Sequence, residues 1–166
     1  QPACEWPLNV YGFSKLAFDN WVRRRLHDCR TPVVGLRYFN VYGPQENHKG
    51  RMASVVFKLH QQASRGEDPT IFEGSAKFLR DFVFVDDVVD VNLFFLDKGD
   101  ARGIYNCGSG RAESFQELAA ATVSHFPKLR VKEIPFPADL QGKYQAFTRA
   151  DLGALRASVR PLYERL

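Results

Sequence analysis

The stretch FVFVDDVVDVNLFFLDKGDARGIYNC, residues 82–107, decides the fold. Phe82, Val83, Phe84 and Val85 form a short apolar run, the signature of a strand buried on both faces. Asp86 stands where a helix N-cap belongs, so a helix is expected over about residues 87–96. Residues 103–107 then read as another buried strand, closed by the turn Gly108-Ser109-Gly110. Strands alternating with helices point to an α/β fold with a largely parallel sheet.

The alternation continues on both sides. Upstream, residues 1–7 read as a loop, followed by a helix over about residues 8–27. Pro32 precedes a short strand at 33–37, and Asn40, Gly43 and Pro44 mark a turn-rich loop that runs to Gly50. Val55, Val56 and Leu59 give an apolar face to a helix at about 52–65, which precedes a strand at 70–72. Downstream, Ser114 and Glu117 have capping-box spacing and open a helix to about residue 125. A strand at 131–134, a loop at 135–144 and a short helix at 151–157 complete the reading.

A chain of 166 residues is long enough for one domain with a real core, and 45% hydrophobic residues make it globular rather than disordered. No apolar run is long enough to cross a bilayer, so no membrane partner is expected. Cys4, Cys29 and Cys107 are odd in number and far apart, which fits neither a zinc site nor a disulfide framework. No metal is expected, and idle thiols suit a reducing, cytoplasmic setting. The net charge of +4 comes without the aromatic–basic interleaving of a nucleic-acid platform, so no nucleic-acid partner is expected. Arg23-Arg24-Arg25, the densest basic run, reads as a solvated helix face.

Tyr11 and Lys15, four residues apart on the first helix, lie one above the other. A phenol is a poor proton carrier at neutral pH, since its ordinary pKa is about 10, and an adjacent lysine cation favours phenolate. Such a pair can move a proton on or off a substrate hydroxyl. The same spacing also arises by chance on an amphipathic helix. Arg80 offers a planar fork for phosphate oxygens, or a surface salt bridge to Asp81 or Asp86. Gly74 permits close approach of a ligand to the backbone, or simply makes a turn. His48 and Lys49 form a solvated pair, or line a loop that a substrate reaches. Gly108-Ser109-Gly110 lacks the rest of a dinucleotide fingerprint and reads as a strand-end turn.

Three segments together resemble the second half of an extended short-chain dehydrogenase/reductase of the NAD-dependent epimerase/dehydratase class. They are Tyr11-Gly-Phe-Ser-Lys15, Arg37-Tyr-Phe-Asn-Val-Tyr-Gly-Pro44 and Arg80-Asp-Phe-Val-Phe-Val-Asp-Asp-Val88. Within that class, His48-Lys-Gly-Arg-Met-Ala-Ser54, Phe72-Glu-Gly-Ser75 and Gly110-Arg-Ala-Glu-Ser-Phe115 are similar to the ADP-heptose 6-epimerases. Pro135-Phe-Pro137 and Tyr144-Gln-Ala-Phe-Thr148 support the same resemblance, which runs over about residues 11–156.

The resemblance implies the C-terminal part of a Rossmann-like NAD(P)-binding fold with most of a substrate-binding domain. Residues 1–43 and 87–110 would be cofactor-domain elements, and 44–86 and 111–166 the substrate-binding part. It implies an isomerase that interconverts ADP-D-glycero- and ADP-L-glycero-D-manno-heptose by transient oxidation at C6. NADP, or NAD, would be the bound cofactor. The step belongs to lipopolysaccharide core precursor synthesis, and the complete protein would be a homo-oligomer. Residue by residue, Tyr11 matches the catalytic tyrosine, also in contact with the cofactor, and Lys15 the lysine on the nicotinamide ribose. Val41 matches a residue lining the nicotinamide pocket, and Asn40 a substrate contact. Lys49 matches a second acid/base beside the cofactor, a role that a dry setting near Lys15 would suit. Arg51, Lys58, Phe72, Glu73, Gly74, Ser75, Arg80 and Tyr144 match the ADP-sugar site.

Relative to that class, the Gly-rich strand–turn–helix that holds the cofactor pyrophosphate is absent, so the chain is expected to be a fragment, inactive and weak in NADP binding by itself. Two other readings stay open. Another nucleotide-sugar 4-epimerase or dehydratase would keep Tyr11 and Lys15 without needing Lys49. A non-catalytic fragment would only bind a nucleotide sugar.

Overall fold

A computed structural model describes residues 5–138, 141 and 144–163. Helix α1 (Val10–Arg25) leads to strands β1 (Val34–Tyr38) and β2 (Asn40–Tyr42), helix α2 (Val55–Ser64) and strand β3 (Thr70–Phe72). Strands β4 (Leu79–Arg80) and β5 (Phe82–Phe84) precede helix α3 (Val85–Asp97) and strand β6 (Gly103–Cys107). Strand β7 (Glu113–Ser114), helix α4 (Phe115–Ser124), strand β8 (Lys132–Ile134) and helix α5 (Gly153–Tyr163) follow.

The chain is α/β, and parallel pairing dominates. β1 pairs with β6, β2 with β5 and β3 with β8, all parallel, whereas β4 and β7 are antiparallel. Val34 lies opposite Gly103 and Val41 opposite Val83. The strands associate two by two rather than as one continuous sheet. Three apolar clusters hold these pairs. Leu59 of α2, Ile71 of β3 and Ala119 of α4 form one. Val83, Val88 and Cys107 form a second, and Phe95, Ala101 and Leu155 a third. Burying a side chain such as Leu59, which is 1% exposed, stabilises by roughly 1.5–3 kcal/mol.

Several elements differ from expectation. Residues 40–42 form strand β2 instead of a loop, because they find a parallel partner in β5. Asp86 is not the cap of α3. The helix starts at Val85 with Phe84 as N-cap, so that Val88 and Phe95 reach the core, and Asp86 and Asp87 fall in the first turn. Carboxylates there still favour the helix dipole. Helix α2 starts only after Ser54, whose side chain accepts the Phe57 N–H, and Met52 ends a preceding 3-10 turn. The final helix runs to Tyr163, since Leu155 and Val159 pack on the Phe95 cluster. The Ser114–Glu117 capping box forms as expected. The expected loop at 135–144 lies partly outside the described residues, as does Cys4, while Cys29 and Cys107 are free thiols. No helix among the described residues is long and apolar enough to cross a membrane. No group of three or more His, Cys, Asp or Glu residues there could hold a metal.

An ion-pair cluster ties the N-terminal segment to α1 and β1. Glu5 accepts hydrogen bonds from Arg23 and Arg37, and Asp19 accepts from Arg37 at 2.5 Å. Arg23 therefore serves an internal contact rather than a solvated face. The bond from Arg23, with help from Arg37 and against the effect of burial, holds the Glu5 carboxyl down from 4.5 to about 2. A depressed carboxylate stabilises the fold above its unfolded value, and that contribution is lost as pH falls from 4.5 towards about 2. Glu5→Gln should flatten the pH dependence of the urea midpoint across this window. Equal slopes for variant and parent would show that the cluster contributes nothing.

Candidate active site

Tyr11 and Lys15 lie on the first turns of α1, which Asn9 caps by accepting the Gly12 N–H at 2.8 Å. The Lys15 Nζ stands over the Tyr11 ring, 5.1 Å from its centroid. Tyr11 is 72% exposed, and Val10, Phe13, Phe18 and Trp21 share its helix without burial. Among the described residues Lys15 has no carboxylate partner. Its ammonium donors are thus available to hydroxyls of a bound molecule.

Lys49 sits in the 3-10 turn Asn47–Met52, on the loop between β2 and α2. It is not dry. Its side chain is 45% exposed, and its partner is a carboxylate, Glu46, at 3.3 Å. Glu46 is buried and also accepts the Ser54 N–H at 2.8 Å, the Ser54 Oγ–H at 2.7 Å and the Gly43 N–H at 3.4 Å. Burial pushes this carboxyl up, but the bonds from Ser54 and Lys49 outweigh it and leave it below its ordinary value. Sequence reasoning missed Glu46. The available signal was a carboxylate three residues before a candidate lysine. Arg51 and Lys58 are both exposed, and Lys58 Nζ donates to the Arg51 carbonyl at 2.8 Å.

Arg80 is 7% exposed and pairs with neither Asp81 nor Asp86. Its guanidinium donates to the carbonyls of Leu79 and Gln145, and lies 4.9 Å from the Tyr144 ring and 5.7 Å from the Phe115 ring. Burial lowers the Arg80 pKa and raises that of Tyr144, while their mutual contact opposes both shifts. Phe72, Phe78 and Phe136 extend the wall, with Phe78 and Phe136 ring centroids 4.9 and 5.7 Å from that of Tyr144. Nearby, Gly74 takes φ +77° with open space beside it, so the turn requires glycine for its backbone rather than for a close protein contact. Ser75 is buried and donates its hydroxyl to the Phe72 carbonyl, and the Glu73 N–H reaches the Ile134 carbonyl at 2.8 Å.

Residues 2–108 match the NAD dependent epimerase/dehydratase family. The chain belongs to this family. Among solved structures it is similar to the ADP-L-glycero-D-manno-heptose-6-epimerase of Helicobacter pylori, at 35% identity and a TM-score of 0.81, covering 94% of this chain and 46% of that one. It is also similar to the UDP-glucose 4-epimerase of Thermotoga maritima with UDP-glucose, at 29% identity and a TM-score of 0.70 over 89% and 46% of the two chains. The Thermus thermophilus UDP-glucose 4-epimerase complex with NAD matches at 26% and 0.75, over 92% and 49%. The chain thus spans about half the length of these solved relatives.

In this epimerase/dehydratase chain the remaining candidates divide between strand and core. Asn40 is exposed, and its N–H donates to the Asp81 carbonyl at 3.0 Å. The Val41 side chain is partly buried and packs against the cluster of Val83, Val88 and Cys107. Sequence reasoning offered Asp81 only as a surface partner for Arg80 and missed its buried role. It is fully buried, and its carboxylate accepts the Ser109 N–H and Oγ–H, the Gly110 N–H and the Ala150 N–H at 2.7–2.9 Å. A Cβ on Gly108 would lie 2.8 Å from that of Ala150 and 2.9 Å from Asp81 Oδ2, so only glycine fits. The Gly108-Ser109-Gly110 turn therefore holds a side chain of its own chain. Among the described residues the candidates fall into three groups, around Tyr11, Lys49 and Arg80. No hydrogen bond, ion pair or ring contact joins Tyr11 or Lys15 to either of the other two.

Proposed function

We propose that the chain is the substrate-handling part of an epimerase that inverts C6 of an ADP-linked heptose, interconverting the D-glycero and L-glycero forms. The observation that supports this reading is a pair of separate ionisable groups, each able to carry a proton. One is Tyr11 with Lys15 on α1, and the other is Lys49 on the loop after β2. Inversion through a ketone needs the oxygen protonated in two poses related by a rotation of the substrate, and one tyrosine serves only one of them well. Loops at the carboxyl ends of parallel strands border the ligand crevice of such folds. The likeness to the Helicobacter pylori heptose epimerase supports the same substrate class.

NADP, or NAD, fits the Lys15 ammonium, which has no carboxylate partner among the described residues and has donors for the nicotinamide ribose hydroxyls, with the Val41 backbone lining the pocket. When bound, the cofactor supplies hydride acceptance and return at C6. Tyr11 takes the hydroxyl proton in one pose, and Lys49 handles it in the other. On this reading residues 1–43 and 87–110 serve the cofactor, and 44–86 and 111–166 the substrate. The remaining Arg80 N–H groups meet the diphosphate, while Tyr144, Phe72 and the turn at Gly74 and Ser75 flank the nucleotide. Asn40 lies on β2, Arg51 in the 3-10 turn before α2, Lys58 on α2 and Glu73 just after β3. The complete enzyme is a homo-oligomer of the cytoplasm on this reading.

The test is to supply the complete enzyme with ADP-D-glycero-D-manno-heptose and follow the C6 epimer by NMR, with UDP-glucose in parallel. Conversion of the ADP-heptose alone is expected. Epimerisation of UDP-glucose instead would replace this reading with that of a 4-epimerase. In the same enzyme Arg80→Ala should weaken ADP-sugar binding by about 1.5–3 kcal/mol, the range for a hydrogen bond to a charged group. Lysine should restore only part, since it lacks the planar fork. Unchanged binding by calorimetry would place the diphosphate elsewhere.

A further inference from the structure

We propose that Glu46 is the positioning residue for Lys49, the fixed anchor that sets where the lysine ammonium stands for proton transfer. This rests on the reading of Lys49 as the second acid/base. The loop is built around that carboxylate. Gly43 is held so close to α3 that a Cβ would lie 2.5 Å from Val85 Cγ1. Gln45 takes φ +64°, the only positive φ of a non-glycine residue among those described. A left-handed conformation is strained for an L-residue with a side chain. That strained step turns Glu46 inward, where its side chain is 5% exposed and meets the Gly43 N–H and both donors of Ser54.

The pair is asymmetric. Glu46 is clamped by three donors besides the lysine, whereas Lys49 is half exposed and its side-chain nitrogen bonds to Glu46 alone among the described residues. The carboxylate is the fixed end and the ammonium the movable one. Helix capping does not need the charge. Ser54 caps α2 through its own hydroxyl, and a neutral glutamine at 46 can accept the Ser54 N–H and donate to the Ser54 Oγ. Such a glutamine gives up only the long 3.4 Å bond from the Gly43 N–H, so the negative charge acts chiefly on Lys49.

The experiment uses Glu46→Gln in the complete enzyme with an aldehyde analogue of the substrate. In a Tyr11→Phe background the analogue's oxidation and reduction depend on Lys49, and in a Lys49→Met background they depend on Tyr11. A misplaced catalytic group costs up to about 10²-fold, so the variant should lower kcat of the Lys49-dependent reaction by about tenfold or more, with KM unchanged, and the Tyr11-dependent reaction by less than about twofold. Acylation of Lys49 relative to Lys15, read by mass spectrometry without turnover, should rise as the ion pair is released. An equal fall in both backgrounds would reduce Glu46 to a general support of the fold and overturn the proposal. So would unchanged acylation of Lys49, whatever its catalytic role. Wild-type epimerisation by Lys49→Met alone would instead bring down the two-carrier reading itself.

Discussion

Tyr11→Phe should lower epimerisation by the complete enzyme about 10²–10⁴-fold while leaving its stability and its affinity for ADP-sugar unchanged, the range for removing a positioned general acid/base. The structure makes the separation clean. Tyr11 is 72% exposed, and among the described residues no hydrogen bond of its hydroxyl holds α1 in place. The helix is fixed by the Asn9 cap and by Arg23 and Asp19, none of which touches the phenol. Phenylalanine keeps the ring under the Lys15 ammonium and removes the hydroxyl that would carry the proton. The measurements are kcat and the urea midpoint of variant and parent. Activity within about threefold of wild type would show that another group carries the proton, because a true acid/base contributes at least about 10²-fold.

Asp81→Ala should destabilise the protein by about 3–5 kcal/mol, counting roughly 1–3 kcal/mol for each buried donor left without an acceptor and some relief from entering water. Three backbone N–H groups and the Ser109 hydroxyl lose their partner at once. The hydroxyl can turn elsewhere, but the N–H groups of Ser109, Gly110 and Ala150 cannot. Asp81→Asn should recover only part, since its amide nitrogen presents a donor where two donors already point. Urea unfolding is the measurement, and a lower midpoint with an unchanged slope is the expected form. A loss below about 1 kcal/mol would mean that the loops carry themselves, since exposed contacts typically fall within that range.

The residues show why some of this was legible and some not. Strand β6 announces itself by an apolar run between glycines, and the Ser114–Glu117 box by spacing alone, because both signals are local. Tyr11 and Lys15 meet because four residues of helix bring them together. Strand β2 does not announce itself, since Asn40 and Gly43 have turn chemistry and only pairing with β5, about forty residues away, makes it extended. Glu46 and Asp81 read as ordinary surface acids next to Lys49 and Arg80. Their burial is decided by donors that arrive from Ser54 in one case and from residues 109, 110 and 150 in the other. Arg80 was legible as a cation with a special role, but its aromatic walls come from Phe115 and Tyr144, 35 and 64 residues downstream.

The adjacency of Arg80 and Asp81 has a mechanical side. One residue is gripped by Phe115, Tyr144 and the Gln145 carbonyl, and the next by the turn after β6 and by Ala150. Two consecutive links of chain thus work like a pivot pin through three leaves that are remote in sequence. Any swing of the aromatic wall relative to the β1–β6 pair must turn about this point, because a sideways slide would pull the Asp81 carboxylate out of its four donors. Relative motion of the aromatic wall and the β1–β6 pair is thereby confined to rotation, with the shortest lever arm at Arg80 itself.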